Sequence, residues 1–373
     1  ISFITIFSVA YIISTLICIR RLALPTADFF NKIIFINLVI YVLLGLVLSV
    51  IRIPLFSRVV FLSEFVLSTI FLVSLLFLFH KIFPKRIGLL SNLNPIDFQH
   101  LRPIQWITID SVGNNLSILD GAIFDSRDIN NQHTATLLAN LTLYNVPIYE
   151  DKQILEWLTG RVSLDRLTNR EFDEFNRHRK YFALKRFVDL GLTVILALPI
   201  VITTFIIAVA VKLDSPGPVL FWQKRTGYQD KTFSMCKFRS MQSDGQTNDS
   251  QFALKNDKRI TRIGRILRRT RIDELPQFWN VLLGDMSVIG PRPEQPEFSE
   301  QFRESIPFYA FRHTVRPGIT GWAQIKQGYA ADEEETKIKL EYDFYYIKYL
   351  SWWLEAVIVF STLKTILLGS GHR

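Results

Sequence analysis

Cysteine is nearly absent: 373 residues contain Cys18 and Cys236 and no others. A disulfide framework is therefore excluded, and two unlinked cysteines suit a reducing compartment or a fold that needs no bridges. Charge is sparse too, at 21% Asp, Glu, Lys and Arg, while 49% of residues are hydrophobic. That balance excludes a disordered or collagen-like chain. Several catalytic signatures are missing. There is no Walker P-loop, no H-E-x-x-H, no zinc-spaced Cys/His set, no G-x-S-x-G and no G-x-G-x-x-G. The six histidines, His80, His100, His133, His178, His313 and His372, are scattered along the chain. A histidine-centred site has little support.

What is present is apolar and basic. Thirty phenylalanines and a mean hydropathy of +0.21 sit badly with a purely soluble protein. Lys and Arg outnumber Asp and Glu, giving a formal net charge of +9, which points to an anionic partner. Nucleic acid, a phospholipid surface and a phosphorylated substrate are all open on charge alone. The length suggests two or three domains. The first residue is Ile, so the native N-terminus is expected to precede it.

The uncharged runs Ile1–Ile19 and Ile33–Ile51 are each long enough to span a bilayer as a helix, and Pro54–Phe79, carrying Arg58 and Glu64, is a third candidate. No small-residue cleavage site follows the first run, so it does not read as a signal peptide. Arg20, Arg21 and Lys32 lie between the first two runs, and Lys81, Lys85 and Arg86 follow the third. The positive-inside rule then puts both clusters, and the chain beyond about residue 84, in the cytoplasm. Glu64 reads as a residue near a helix end pairing with a neighbouring helix, with a functional carboxylate as the alternative. A later run, Leu190–Val211, is uncharged with Pro199 near its middle and basic residues on both flanks. Symmetric positive flanks predict a re-entrant hairpin, broken where Pro199 removes a backbone donor, rather than a full crossing.

Four segments are expected: transmembrane helices over 1–83, a small cytoplasmic α/β unit over 84–160, a polar linker over 161–182 and a catalytic domain over 183–373. In the α/β unit, strands are predicted over Ile104–Ile109, Ala122–Phe124 and Val146–Tyr149, and a helix over His133–Leu143, which is a reduced Rossmann-like pattern. Asp120 and Asp125 at strand ends read as turn formers. Arg262–Arg271 is a short basic amphipathic stretch, with Ile263, Ile266 and Leu267 on one side, suited to anionic lipid or phosphate. Membrane anchoring without a recognition fold argues against nucleic acid. Trp352–Leu368 reads as an amphipathic interfacial helix, because Glu355 and Lys364 interrupt it.

Chemistry concentrates in Arg271–Glu294. Asp273 and Glu274 directly precede a predicted helix with Pro276 in its first turn. Free N–H groups and the positive dipole end there would keep a carboxylate ionised and attract phosphate. A plain helix cap is the alternative, but Arg268, Arg269, Arg271 and Arg292 exceed what a cap requires.

Six motifs occur in order: Lys185-Arg-Phe-Val-Asp189, Ser215-Pro-Gly-Pro218, Lys237-Phe-Arg-Ser-Met241, Asp273-Glu-Leu-Pro-Gln277, Gly290-Pro-Arg-Pro293 and Arg316-Pro-Gly-Ile-Thr-Gly-Trp-Ala-Gln324. Through them residues 183–369 resemble the bacterial sugar transferase family, the monotopic phosphoglycosyl transferases. The upstream part resembles the large undecaprenyl-phosphate glucose or galactose phosphotransferase branch. The resemblance implies an α-rich membrane protein of the bacterial inner membrane, with its catalytic domain facing the cytoplasm and a re-entrant membrane helix. It implies transfer of a sugar 1-phosphate from a UDP-sugar to undecaprenyl phosphate, releasing UMP and initiating exopolysaccharide, capsule or O-antigen synthesis. By resemblance Asp273 is the nucleophile that forms an aspartyl-phosphosugar, and Glu274 holds Mg²⁺. Arg292 contacts phosphate, with Lys237, Arg239 and Arg271 as further phosphate candidates. Lys185, Arg186, Asp189 and Pro199 belong to the re-entrant helix, with Arg186 and Asp189 as structural partners or headgroup contacts. Where relatives often have Ser-Pro at the helix break, this chain has Leu198-Pro199, and Lys326-Gln327-Gly328 stands where many have Asn-Gly-Arg. The partners implied are UDP-sugar, undecaprenyl phosphate, membrane lipids and a second copy of the chain in a homodimer. A non-catalytic scaffold or a UDP-sugar sensor is the competing expectation.

Overall fold

A computed structural model describes residues 37–38, 40–42, 44, 58–82, 84–90, 104–109, 116–128, 131–167, 179–242, 259–328 and 332–368. Its contacts divide the chain into two units, Ile1–Gly160 and Arg161–Arg373. The first predicted span lies outside the described residues, and so does most of the second.

In the first unit, helix α1 (Arg58–Ile82) occupies the third predicted span, with Glu64 half-buried in its second turn. The amide of Asn37, fully buried, donates to Ser68 Oγ at 3.2 Å and Thr69 Oγ1 at 2.6 Å, so the second apolar run touches this helix through polar groups.

Four strands follow: β1 (Lys85–Leu90), β2 (Ile104–Ile109), β3 (Gly121–Phe124) and β4 (Ile148–Glu150). They form one parallel sheet in the order β2-β1-β3-β4. Strand β1 was not expected, since its Lys-Arg start reads as a topology signal. Its last four residues are all buried, as in a parallel strand covered on both faces. Helix α2 (Gln132–Leu143) is capped by Asn131, whose side chain accepts from the His133 N–H. It sets Leu137 and Leu141 against Ile109, Ala122 and Phe124, and α3 (Asp151–Thr159) sets Ile154 against Ile87, Leu89 and Ile123. Asp120 and Asp125 shape turns: Asp120 accepts the Arg86 N–H at 2.9 Å, and Asp125 accepts from the Arg127 N–H and guanidinium.

The second unit begins earlier than the expected linker allows. Val162 is fully buried in its core and its N–H donates to the Glu341 carbonyl. Helices α4 (Arg179–Ile195) and α5 (Ala197–Asp214) follow, joined at Leu196. Pro199 is the third residue of α5, so the interruption falls three residues before it, where its ring and missing donor disturb the preceding turn. Among the described residues, α5 is the one helix long and apolar enough to cross a membrane. Strands β5 (Leu220–Thr226) and β6 (Thr232–Phe238) form an antiparallel hairpin. Then come α6 (Arg262–Thr270), α7 (Gln277–Leu283), β7 (Ser287–Ile289), α8 (Pro296–Ser305), β8 (Gly318–Thr320), α9 (Trp322–Lys326), α10 (Glu333–Lys348) and α11 (Trp352–Leu368). The two short strands β7 and β8 pair in parallel.

Helices α10 and α11 contribute Leu340, Phe344, Ile347, Leu354 and Ile358 to a core cluster that also holds Tyr309 and Trp322. Each such side chain contributes about 1.5–3 kcal/mol of burial. Two sequence expectations change here. Glu355 on α11 is buried and paired with Lys185 at 2.7 Å, so this charge does not mark an exposed polar face, whereas Lys364 is exposed. In α6, Leu267 is buried and Ile263 packs beside it, but Ile266 points outward, one residue off the buried stripe.

Candidate active site

Strand β6 carries Lys237 next to its end. Helix α6 stops where Arg271 turns left-handed (φ 55°), and a tight 3-10 turn, Ile272–Glu274, carries Asp273 and Glu274 into Pro276 and α7. The N–H groups of Glu274 and Leu275 donate to the carbonyls of Arg271 and Ile272. Those donors close the turn, so the carboxylates are held by neighbouring cations rather than by the helix end that the sequence suggested.

Asn280 ties this segment to the strand. Its Oδ1 accepts the Cys236 N–H at 3.1 Å, and its Nδ2 donates to the Ser234 carbonyl at 2.8 Å. Completely buried, it fixes α7 against the strand residues adjoining Lys237. The third wall is the loop Gly290–Glu294, at the end of β7. Gly290 and Gly318 pass so closely that a Cβ on Gly318 would lie 2.0 Å from the Gly290 nitrogen. No residue but glycine fits that crossing, which delivers Arg292 to the dyad.

Arg292 Nη2 donates to Glu274 Oε1 at 2.7 Å. Glu274 is buried, while Asp273, Lys237 and Arg271 are half-buried. Burial alone would raise the Glu274 pKa, but Arg292 and Lys237 outweigh it and hold the carboxyl well below its ordinary range. Asp273 goes the other way: burial raises it and the charge of Glu274 adds to the rise, against Lys237 and Arg292. Burial, then Arg292 and Arg225, lowers Lys237, and burial lowers Arg271. Two adjacent carboxylates are thus pushed apart in acidity, the pattern of groups with separate roles. Asp273 is the more basic, and a basic, half-exposed carboxylate is the better nucleophile.

The predicted site residues fall into two sets. Asp273, Glu274, Lys237, Arg271 and Arg292 come together. Arg239 is spent elsewhere: it is buried, donating to the Ser215 carbonyl at 2.6 Å, the Ser215 hydroxyl at 2.9 Å and the Pro216 carbonyl at 2.8 Å. It closes the end of α5, where unpaired carbonyls need donors, and this corrects its expected part in phosphate binding. Lys185 and Asp189 are buried too, so neither is placed as a headgroup contact. Lys185 pairs with Glu355, and Asp189 accepts the Ser287 hydroxyl at 2.7 Å. Arg186 donates to the Val281 and Leu282 carbonyls at the end of α7, the structural of its two expected roles.

Sequence reasoning passed over Asn280, Arg225, Arg312 and Asp343. Asn280 follows the dyad motif by three residues and was open to notice. Arg225 precedes Asp273 by 48 residues, and Arg312 and Asp343 follow Glu274 by 38 and 69, with no local pattern to mark them.

Among the described residues no three His, Cys, Asp or Glu side chains gather as a metal site. The dyad suits a divalent ion of the Mg²⁺ kind, which takes one or two protein carboxylates and completes its shell with phosphate oxygens and water.

A family model described as bacterial sugar transferase matches residues 180–369. The chain is 46% identical over 276 residues to an Aeromonas hydrophila protein named UDP-N-acetylgalactosamine-undecaprenyl-phosphate N-acetylgalactosaminephosphotransferase, covering 74% of this chain and 65% of that one. It is 46% identical over 182 residues to the Escherichia coli K12 UDP-glucose:undecaprenyl-phosphate glucose-1-phosphate transferase, covering 48% and 39%. A Rhizobium leguminosarum exopolysaccharide production protein is 41% identical over 186 residues, which are 48% of this chain and 93% of that one. The chain thus spans less than two thirds of the first two relatives.

Proposed function

Since the chain belongs to the bacterial sugar transferase family, we propose that it transfers a sugar 1-phosphate from a UDP-sugar to undecaprenyl phosphate and releases UMP. The observation that carries this reading is the divergence of Asp273 and Glu274 beside Arg292.

Asp273 attacks the sugar-bearing phosphorus of the UDP-sugar. An aspartyl phosphoryl bond forms, the bridging P–O bond breaks, and UMP leaves with the bonding electrons. An oxygen of undecaprenyl phosphate then attacks the same phosphorus and restores the Asp273 carboxylate, leaving undecaprenyl-diphosphate-sugar. The barrier is electrostatic, because an anionic nucleophile must approach a centre shielded by negative oxygens. Arg292 offers a planar fork to those oxygens, and Lys237 and Arg271 add positive charge from the strand and the turn. Glu274, held ionised, is the carboxylate that would hold Mg²⁺, an ion that offsets diphosphate charge.

The setting is a membrane surface, with the catalytic unit on the cytoplasmic face of the inner membrane. Phe187, Ile195, Leu198, Val201, Phe205 and Leu213 on α4 and α5 are exposed, an apolar area too extensive to leave in water. The pair α4–α5, broken at Leu196, acts as the re-entrant anchor that brings a lipid phosphate and a soluble nucleotide to one site. The relatives' names make UDP-N-acetylgalactosamine and UDP-glucose the first donors to try.

The test is UMP release by detergent-solubilised protein with Mg²⁺, undecaprenyl phosphate and a panel of UDP-sugars. Release with one donor, lost in Asp273→Asn, is expected. No release from folded protein would favour a scaffold or a sensor, and release surviving in Asp273→Asn would remove the covalent step.

A further inference from the structure

The loop that carries Arg292 lies outside any helix or strand, and two of its residues, Pro291 and Pro293, have no N–H to anchor it. Its carbonyls do that work. Four in succession accept a hydrogen bond: Pro291 from the Gly318 N–H at 2.9 Å, Arg292 from Arg312 Nη2 at 2.9 Å, Pro293 from Arg225 Nη1 at 3.2 Å and Glu294 from the Thr226 N–H at 2.9 Å. The outer two come from strands. The inner two come from guanidinium groups, one on β5 and one 20 residues downstream.

Both guanidiniums are themselves fixed. Arg312 is buried, with Nη1 on the Tyr309 hydroxyl at 2.8 Å and Nη2 shared with Asp343 Oδ2 at 2.8 Å. Arg225 donates to Gln223 Oε1 at 2.6 Å and lies 3.9 Å from Glu294, a carboxylate that Lys339 also pairs. A fork held by a carboxylate and a phenol has a donor left for one carbonyl, a geometry an ammonium group cannot copy. We propose that Arg312 and Arg225 are positioning residues for Arg292. By holding the carbonyls of residues 292 and 293 they fix the main chain from which the Arg292 side chain reaches Glu274 and an incoming diphosphate. The inference rests on the transferase reading above for the identity of that diphosphate.

The test is a thermodynamic cycle on the full chain in detergent, combining Arg312→Lys, Arg225→Lys and Arg292→Ala. UMP release and, separately, calorimetric binding of inorganic pyrophosphate are measured for each. Lysine keeps the positive charge beside Asp343 or Glu294 and loses the fork. In the native background Arg312→Lys should lower kcat on the order of 100-fold, the cost of a small misplacement, and weaken pyrophosphate roughly tenfold. With Arg292 already truncated, it should cost almost nothing more, because residues acting through one group are not additive. Should Arg312→Lys fail to fold, the same cycle with Arg225→Lys decides. Wild-type kcat in the folded lysine variants, or an equal loss repeated in the Arg292→Ala background, overturns the proposal. If the native protein releases no UMP yet binds pyrophosphate, the transferase reading fails alone and the binding cycle still judges the two arginines. If it does neither, both fall.

Discussion

Lys185, Asp189 and Glu355 form one cluster of enclosed charge in the second unit, and Asp273, Glu274, Lys237 and Arg292 form another. The first is closed on itself. Lys185 lies 2.7 Å from Glu355 and 3.6 Å from Asp189, Asp189 accepts the Ser287 hydroxyl, and Glu355 accepts the Tyr346 hydroxyl. In the second, Glu274 has Arg292, while Asp273 is resisted by burial and by Glu274, and Lys237 by burial and neighbouring arginines. Both clusters bear the cost of removing charge from water. One converts it into a fixed junction between α4, β7 and α11. The other leaves Lys237 opposed by burial and by neighbouring arginines, an arrangement that a polyanion relieves.

The contrast breaks hardest at Asp273. Asp273→Asn should lower UMP release on the order of 10,000-fold or more, as loss of a nucleophile does, while the thermal midpoint stays level or rises because a strained charge is gone. A midpoint that drops would refute the difference between the clusters. Lys185→Ala should do the reverse, costing about 3–5 kcal/mol of stability by stranding Glu355 and Asp189, with activity per folded molecule kept; equilibrium or thermal unfolding measures it. Arg292→Ala is intermediate. It should cost about 100- to 1,000-fold in kcat, comparable to losing one preorganised donor at a developing charge, and kinetics with saturating donor would show it.

The smallest effect is on pH. Attack needs the Asp273 carboxylate ionised, so activity is lost as pH falls through its raised pKa. The acid limb of kcat/KM should therefore lie clearly above the ordinary aspartate value of about 3.9. A limb at the ordinary value would mean that burial and Glu274 do not act on Asp273 as described.

The dyad and Arg292 were legible because each sits in a short contiguous motif. The sheet was legible where β-branched residues bracketed a strand, as in Ile104–Ile109, and missed at Lys85–Leu90, whose charged start imitates a membrane flank. Arg239 misled for a different reason. A motif shows that a cation is present, but its recipients, Ser215 and Pro216, come into reach only after α5 ends and the chain turns back. Glu355 misled likewise, since its partner Lys185 lies on another helix far up the chain. Sequence reading finds charges well and finds their partners poorly, because pairing is decided by tertiary approach.

The carbonyl grip on Arg292 also has a consequence in time. Arg312 stands 20 residues after the arginine it orders, and Asp343, which holds Arg312, stands 31 residues further on. At about 5–20 residues per second of synthesis, the nucleophile turn waits roughly 3–14 s for the parts that settle its neighbour. During that interval a nascent chain already holds Asp273 and Glu274 without the brace that aims Arg292 at them, so the active centre is among the last features of its unit to be completed on the ribosome.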